Sequence, residues 1–326
     1  MKQWVNDLKN NKTVIPILSF PAIQLLNCRL QDFLNSSELQ AEGMRLVTER
    51  CHTGVGVGMM DLSIEAECFG ANIRFEEDDI PTVVGALVED DASDLEVPEV
   101  SKRARVYIEA IEKYIDKTGN PVFPGMIGPF SLAGRLLDVT EALALCYEDP
   151  ELVLDVLEKA TEFLIKYGKE FKKIGANGII MAEPLAGILS PRLVQEFSSD
   201  FVKRIVDELQ DDEFIVIYHN CGNNVVKMAD SIASVGCPIY HFGNVIKLED
   251  MIEKMPKDVV VMGNIDPVGV LKDGRVEFVE KATKDLLDVC SKYDNFVLSS
   301  GCDVPHSAPW DNIDMFIKTG TEYYGK

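Results

Sequence analysis

Ile215-Val216-Ile217-Tyr218-His219-Asn220-Cys221-Gly222 is a β-branched apolar run that stops at a histidine and a cysteine two residues apart, then a glycine. Side chains alternate along a strand, so His219 and Cys221 face the same way while Asn220 turns aside. An imidazole and a thiol projecting together from the mouth of a buried strand make half of a tetrahedral zinc site, which needs at least one more soft ligand. Phe296-Val297-Leu298-Ser299-Ser300-Gly301-Cys302-Asp303 is another apolar run; it ends in Gly-Cys and offers Cys302 as that ligand.

Working outward, comparable runs occur at residues 14–20, 54–62, 121–130, 178–184, 239–244 and 259–267, which with 214–222 and 296–303 makes eight. The stretches between them carry helical spacing. Ser36 and Ser37 offer N-caps, and residues 150–174 place Leu154, Leu157, Thr161, Leu164, Gly168 and Phe171 on one stripe. Pro191 opens a helix in which Leu193, Phe197, Phe201 and Ile205 recur every four residues, and Asn223 or Asn224 can cap the next. Further helices fit 248–255, 276–293 and 308–323. Strand and helix alternating eight times is most simply an α/β fold of the (β/α)8 TIM-barrel type, with an N-terminal lead-in and an insertion between strands two and three, as a single catalytic domain over residues 1–326. An open doubly wound sheet is the alternative.

In such a barrel the C-terminal strand ends converge on one pocket. That pocket would collect His219 and Cys221 from strand five, Cys302 from strand eight, Glu183 from strand four, Asp61 from strand two, and Asn264 and Asp266 from strand seven. Glu183 reads either as a cap or salt bridge in the rim, or as a displaceable fourth zinc ligand or neighbouring acid–base group. Asp61 and Asp266 can serve the chemistry or orient loops. His241 shares the mouth or is a satisfied structural histidine; His52 ends a helix, and His306 is a candidate for substrate or partner contact. Cys28, Cys51, Cys146, Cys237 and Cys290 read as packing residues. Met59, Met60, Ile188 and Leu189 read as core or rim, or as a wall against a large ring.

The 326 residues are 46% hydrophobic, enough for a globular core, and no run reaches transmembrane length. The polar N-terminus and eight scattered cysteines fit a soluble cytoplasmic protein. A formal net charge of -22, locally dense at Glu76-Glu77-Asp78-Asp79 and Glu89-Asp90-Asp91, speaks against nucleic-acid partners and anionic membranes.

With these residues in hand, the chain resembles the uroporphyrinogen decarboxylase superfamily over nearly its whole length, in particular its cobalamin-linked methyltransferase branch. Gly128-Pro129-Phe130-Ser131-Leu132-Ala133 is similar to that superfamily's Gly-Pro-Phe-Thr-Leu-Ala, and Gly263-Asn264-Ile265-Asp266-Pro267 to its Gly-Asn-Leu-Asp-Pro. Asp61, nine residues before Gly70, resembles its second-strand aspartate. Two departures separate the chain from true decarboxylases. The region after the first strand, residues 20–27, has no arginine pair to grip substrate carboxylates, and Gly301-Cys302 stands where His-Gly is expected. His-x-Cys with a distant Cys instead resembles the zinc signature of methylcobamide:coenzyme M methyltransferases. The resemblance implies a zinc enzyme that moves a methyl group between methylcobalamin, carried on a separate corrinoid-binding protein, and a small molecule, a thiol being favoured. Other readings are the reverse flow from a methyl ether to Co(I), a decarboxylase, and a non-catalytic zinc-stabilised interaction protein.

Overall fold

The computed structural model describes residues 1–77 and 79–325, so Asp78 of the acidic run lies outside the described residues. The strands, in chain order, are β1 (Gly56–Val57), β2 (Asn72–Glu76), β3 (Asp79–Val84), β4 (Val122–Phe123), β5 (Gly125–Ile127), β6 (Gly178–Ala182), β7 (Ile215–Asn220), β8 (Ile239–Phe242), β9 (Val260–Ile265) and β10 (Phe296–Ser300). Six of them form a parallel sheet in the order β10-β9-β8-β7-β6-β5, β1 pairs with β4 in parallel, and β2 with β3 makes a separate antiparallel hairpin. Sequential parallel neighbours joined through helices are the signature of an α/β fold.

The expected runs are mostly buried, but three depart from regular ladders, and in two of them a proline explains the break. Residues 14–20 are buried throughout yet form no ladder strand. Pro16 lacks an amide donor, so only isolated bonds reach β10: the Ile15 amide donates to the Leu298 carbonyl at 3.1 Å and the Ile17 amide to Ser300 Oγ at 3.0 Å. Residues 54–62 ladder only at Gly56 and Val57. Residues 121–130 are interrupted at Pro124, and Pro129 already opens the helix Pro129–Leu137, so the last two expected strand residues are helical instead.

Bonds from 14–20 to β10 nevertheless bring the first and last runs together. Side chains from all eight runs, among them Ile17, Val57, Phe123, Ile180, Ile217, Ile239, Met262 and Val297, meet in one inner core. An open doubly wound sheet keeps its first and last strands apart and has no such shared interior, so that alternative is not what the chain adopts.

The helices follow their capping chemistry. Ser36 accepts from the Leu39 amide at 3.3 Å ahead of Ser37–Cys51. Asp149 accepts from Leu152 at 3.2 Å ahead of Pro150–Lys173, whose last turn carries Lys172 and Lys173. The Pro191 helix runs through a widened turn at Gln195–Ser199 into Asp200–Leu209, and its stripe of Leu193, Phe197, Phe201 and Ile205 is buried as spaced. One expectation fails: Asn224 caps nothing with its side chain, and after β7 a short turn at Val225–Met228 leads into the brief helix Ala229–Ala233. Among the described residues, no helix is long and apolar enough to cross a membrane.

Candidate metal centre

Parity along β7 builds the site. Ile215 and Ile217 point into the inner core, so His219 continues inward past them; Cys221 follows just after the strand ends at Asn220. The next strand approaches closely there, because a Cβ on Gly243 would stand 2.6 Å from both Cα and Cβ of Cys221. Asn220, turned outward, donates to the Glu183 carbonyl at 2.8 Å, and its Oδ1 accepts from the Gly222 amide at 2.9 Å. It thereby ties the end of β7 to the end of β6. Cys302 comes from the turn after β10, with Sγ 3.5 Å from His219 Nε2.

Donor atoms of His219, Cys221 and Cys302 all lie within 4.8 Å of one another, the one such histidine, cysteine or carboxylate group among the described residues. Tetrahedral zinc with ordinary Zn–S and Zn–N bonds separates its donors by about 3.5 to 3.8 Å. The spacing and the soft donor set therefore fit zinc.

Electrostatics single out the same pair of thiols. A hydrogen bond from the Cys302 thiol, aided by His219, pulls Cys221 below the ordinary thiol range, while Cys302 rises because it faces Cys221 and is buried. Burial, with a nearby carboxylate in each case, pushes the other way elsewhere: Cys146 goes up to about 11, Cys51 and Cys290 to about 12. All eight cysteines are free, and those five read as packing residues include Cys28, which is only half-buried.

Glu183 is turned out of this group. Ala182 points into the inner core, so the next residue faces the helical layer. There one carboxylate oxygen accepts from the Phe130 amide and Ser198 Oγ, each at 2.8 Å, and the other from the Ser131 amide at 2.9 Å. It caps the helix Pro129–Leu137, and burial raises its carboxyl above the ordinary range. The fourth-ligand expectation for Glu183 thus meets a carboxylate already saturated by three donors elsewhere.

Asp61 is likewise spoken for. Arg103 makes an ion pair with it, Ser63 Oγ and its amide donate at 2.6 and 3.1 Å, and Tyr107 OH donates at 3.1 Å. Arg103 continues to Glu67 at 2.8 Å. Asp266 accepts from the Val268 and Gly269 amides at 2.9 Å, and Asn264 donates to the Gly243 and Ile246 carbonyls, so both orient loops. His52 is an exposed left-handed helix end.

Two residues stand behind the ligands: His241, which the sequence left open between a mouth residue and a structural histidine, and Ser299, which it did not single out. His241 is the register partner of His219 on β8, and their Nδ1 atoms are 2.8 Å apart. His241 Nε2 is 2.9 Å from Ser299 Oγ on β10. The signal was present in the parity shared by Ile239 and His241, but it needs the β7–β8 register, which no single strand reveals.

Against known proteins, residues 21–323 match the family described as Uroporphyrinogen decarboxylase (URO-D). A methylcobamide:CoM methyltransferase, MtbA, of Methanosarcina acetivorans is 27% identical over 87% of this chain and 85% of its own length. A uroporphyrinogen decarboxylase of Desulfotalea psychrophila is 26% identical over 65% of this chain and 63% of its own. Among solved structures, a methyltransferase from Methanosarcina mazei superposes with a TM-score of 0.87 at 21% identity, covering 99% of this chain and 98% of that one. Sequence motifs, an α/β fold with its unusual residues at one end of a parallel sheet, and a match across almost the whole length converge: the chain belongs to the uroporphyrinogen decarboxylase family.

Proposed function

We propose that the chain is a zinc-dependent methyltransferase, a (β/α)8 barrel over residues 1–326, moving a methyl group between a corrinoid on a partner protein and a small thiol. The observation that carries this reading is the three-donor group itself: one imidazole and two thiols, from strands far apart in sequence, within 4.8 Å. The name of the M. acetivorans relative supports the same chemistry, and residues 20–27, which hold no arginine, weigh against a polycarboxylate substrate.

His219, Cys221 and Cys302 would hold the ion. Bound there, zinc supplies a Lewis acid that lets a substrate thiol ionise near neutral pH while its sulfur stays nucleophilic. With both cysteines as thiolates, Cys221 and Cys302 would offset the charge of the dication they hold together with His219. The substrate thiol gives its proton to solvent, its sulfur takes the methyl carbon, and the electron pair of the broken carbon–cobalt bond leaves with cobalt as Co(I). Glu183 and Asp61 serve this reaction indirectly, by fixing the helix at residue 129 and the loop after residue 61.

The test combines metal analysis with transfer assays. Purified protein should hold about one zinc per chain; Cys221→Ser and Cys302→Ser should lose most of it together with thiol methylation from methylcobalamin, and Cys290→Ser should lose neither. X-ray absorption should show an added sulfur neighbour when a thiol is supplied. A closed four-ligand site that gains none points to a structural zinc protein. Demethylation of methoxyaromatics by Co(I), without thiol methylation, points to the reverse flow.

A further inference from the structure

Resting on the zinc reading above, we infer that His241 and Ser299 are positioning residues that fix which nitrogen of His219 faces the metal. The geometry is a chain of three side chains running away from the ligand group. His219 Nε2 lies 3.5 Å from Cys302 Sγ, on the ligand side. Its Nδ1 is 2.8 Å from Nδ1 of His241, whose Nε2 is 2.9 Å from Ser299 Oγ. The two rings stand 4.7 Å apart at 65°, and both imidazoles are 1% exposed, so no solvent competes for these contacts.

Proton accounting along the chain has one solution once Nε2 of His219 is a metal donor. That nitrogen then has no proton, so the neutral ring carries its proton on Nδ1. A 2.8 Å contact between two nitrogens needs a single proton between them, so Nδ1 of His241 must be the acceptor. His241 therefore carries its own proton on Nε2 and donates it to Ser299 Oγ. His241, as acceptor, thus holds the proton of His219 on Nδ1, and Ser299 Oγ receives the proton this leaves on Nε2 of His241.

The chemistry of the acceptor matters as well. Metal-bound histidines commonly donate their second N–H to a carboxylate or a carbonyl. A carboxylate here would add a negative charge behind a site that already holds two thiolates and must accept a third sulfur anion. A neutral imidazole orients the ligand without that charge. It suits a centre whose bound sulfur has to be released to a methyl group.

Side-chain nitrogen NMR on the zinc-loaded protein reads the tautomers directly. The expected spectrum shows His241 protonated on Nε2 and bare on Nδ1; His241 protonated on Nδ1 overturns the assignment. Zinc affinity, measured by chelator competition, is the second readout. His241→Phe should weaken zinc roughly ten- to a hundredfold. His241→Gln, which can accept from His219 and donate to Ser299, should restore most of that loss, and Ser299→Ala should fall between. Unchanged affinity in His241→Phe, with wild-type protein that binds zinc and methylates thiols, defeats this inference alone. Wild-type protein that binds no zinc defeats the metal reading beneath it.

Discussion

At the scale of single residues, a carboxylate at the end of a strand is ambiguous until its facing is known, and facing depends on a shift of one position. Glu183 follows an inward Ala182 and so spends its charge on the amides of Phe130 and Ser131 and the hydroxyl of Ser198. Glu183→Gln turns an amide N–H toward one of those donors and should cost about 1–3 kcal/mol of stability, the range for a buried polar group left unpaired. Denaturant unfolding would measure it, and zinc per chain should stay unchanged. Zinc loss at wild-type stability would return Glu183 to the metal. Asp61 makes a parallel case. Asp61→Ala leaves the Arg103 guanidinium, which is 6% exposed, with Glu67 as its remaining carboxylate and should destabilise by roughly 1–3 kcal/mol. Variant protein as stable as wild type but inactive would instead give Asp61 a part in the chemistry.

Elements carry a different kind of information, because their boundaries are set by local covalent chemistry and their contacts are not. The helix Ile64–Phe69 shows this through Glu65, which is buried and takes the amide of Ile127, at the end of β5, at 2.9 Å on one oxygen. Burial pushes its carboxyl up to about 7 from the ordinary 4.5. Between those two values the folded chain binds a proton that the unfolded chain has lost, so stability declines as pH rises through that window and levels off above it. The slope from one such group reaches roughly 1.4 kcal/mol per pH unit. Glu65→Gln should flatten it, and unfolding curves between pH 4.5 and 7.5 that keep the wild-type slope would assign the proton elsewhere. Sequence reading found the caps at Ser36 and Pro191 and the buried stripe of Pro150–Lys173, because capping and periodicity are local. It overextended the strands at Pro16 and Pro124, where a missing amide breaks the ladder. It reached His219, Cys221 and Cys302 because each sits where an apolar run stops. Ser299 stayed hidden and His241 kept two readings, because their meaning lies in the register between β7 and β8 and in a contact from β8 to β10.

For the whole molecule, the consequence of parallel strands is that everything following their C-terminal ends lies on one rim. Ile188 after β6, Val245 after β8 and Val268 after β9 are 46%, 59% and 45% exposed, an unusual set of aliphatic side chains on loops of a chain with net charge -22. Cys302 and Cys221 leave the strands at the same end. Under the proposed reaction, a substrate sulfur bound there must come within reacting distance of a methyl group on a cofactor too large to enter the ring, so the partner's corrinoid face has to cover this rim. The aliphatic loops would then be desolvated in the complex. Val245→Asp and Ile188→Asp should each raise KM for a methyl-corrinoid protein by about tenfold, the scale of one interface anchor lost. Turnover with free methylcobalamin, which needs no docking surface, should be unaffected. Hydrogen exchange in the active complex should slow at the segments after residues 61, 184 and 302 and at the start of the helix Pro129–Leu137, and stay unchanged on the exposed face of Pro150–Lys173. Slowing confined to that helical flank, in a complex that still transfers methyl groups, would place the partner on the wrong side of the ring and sink the docking geometry.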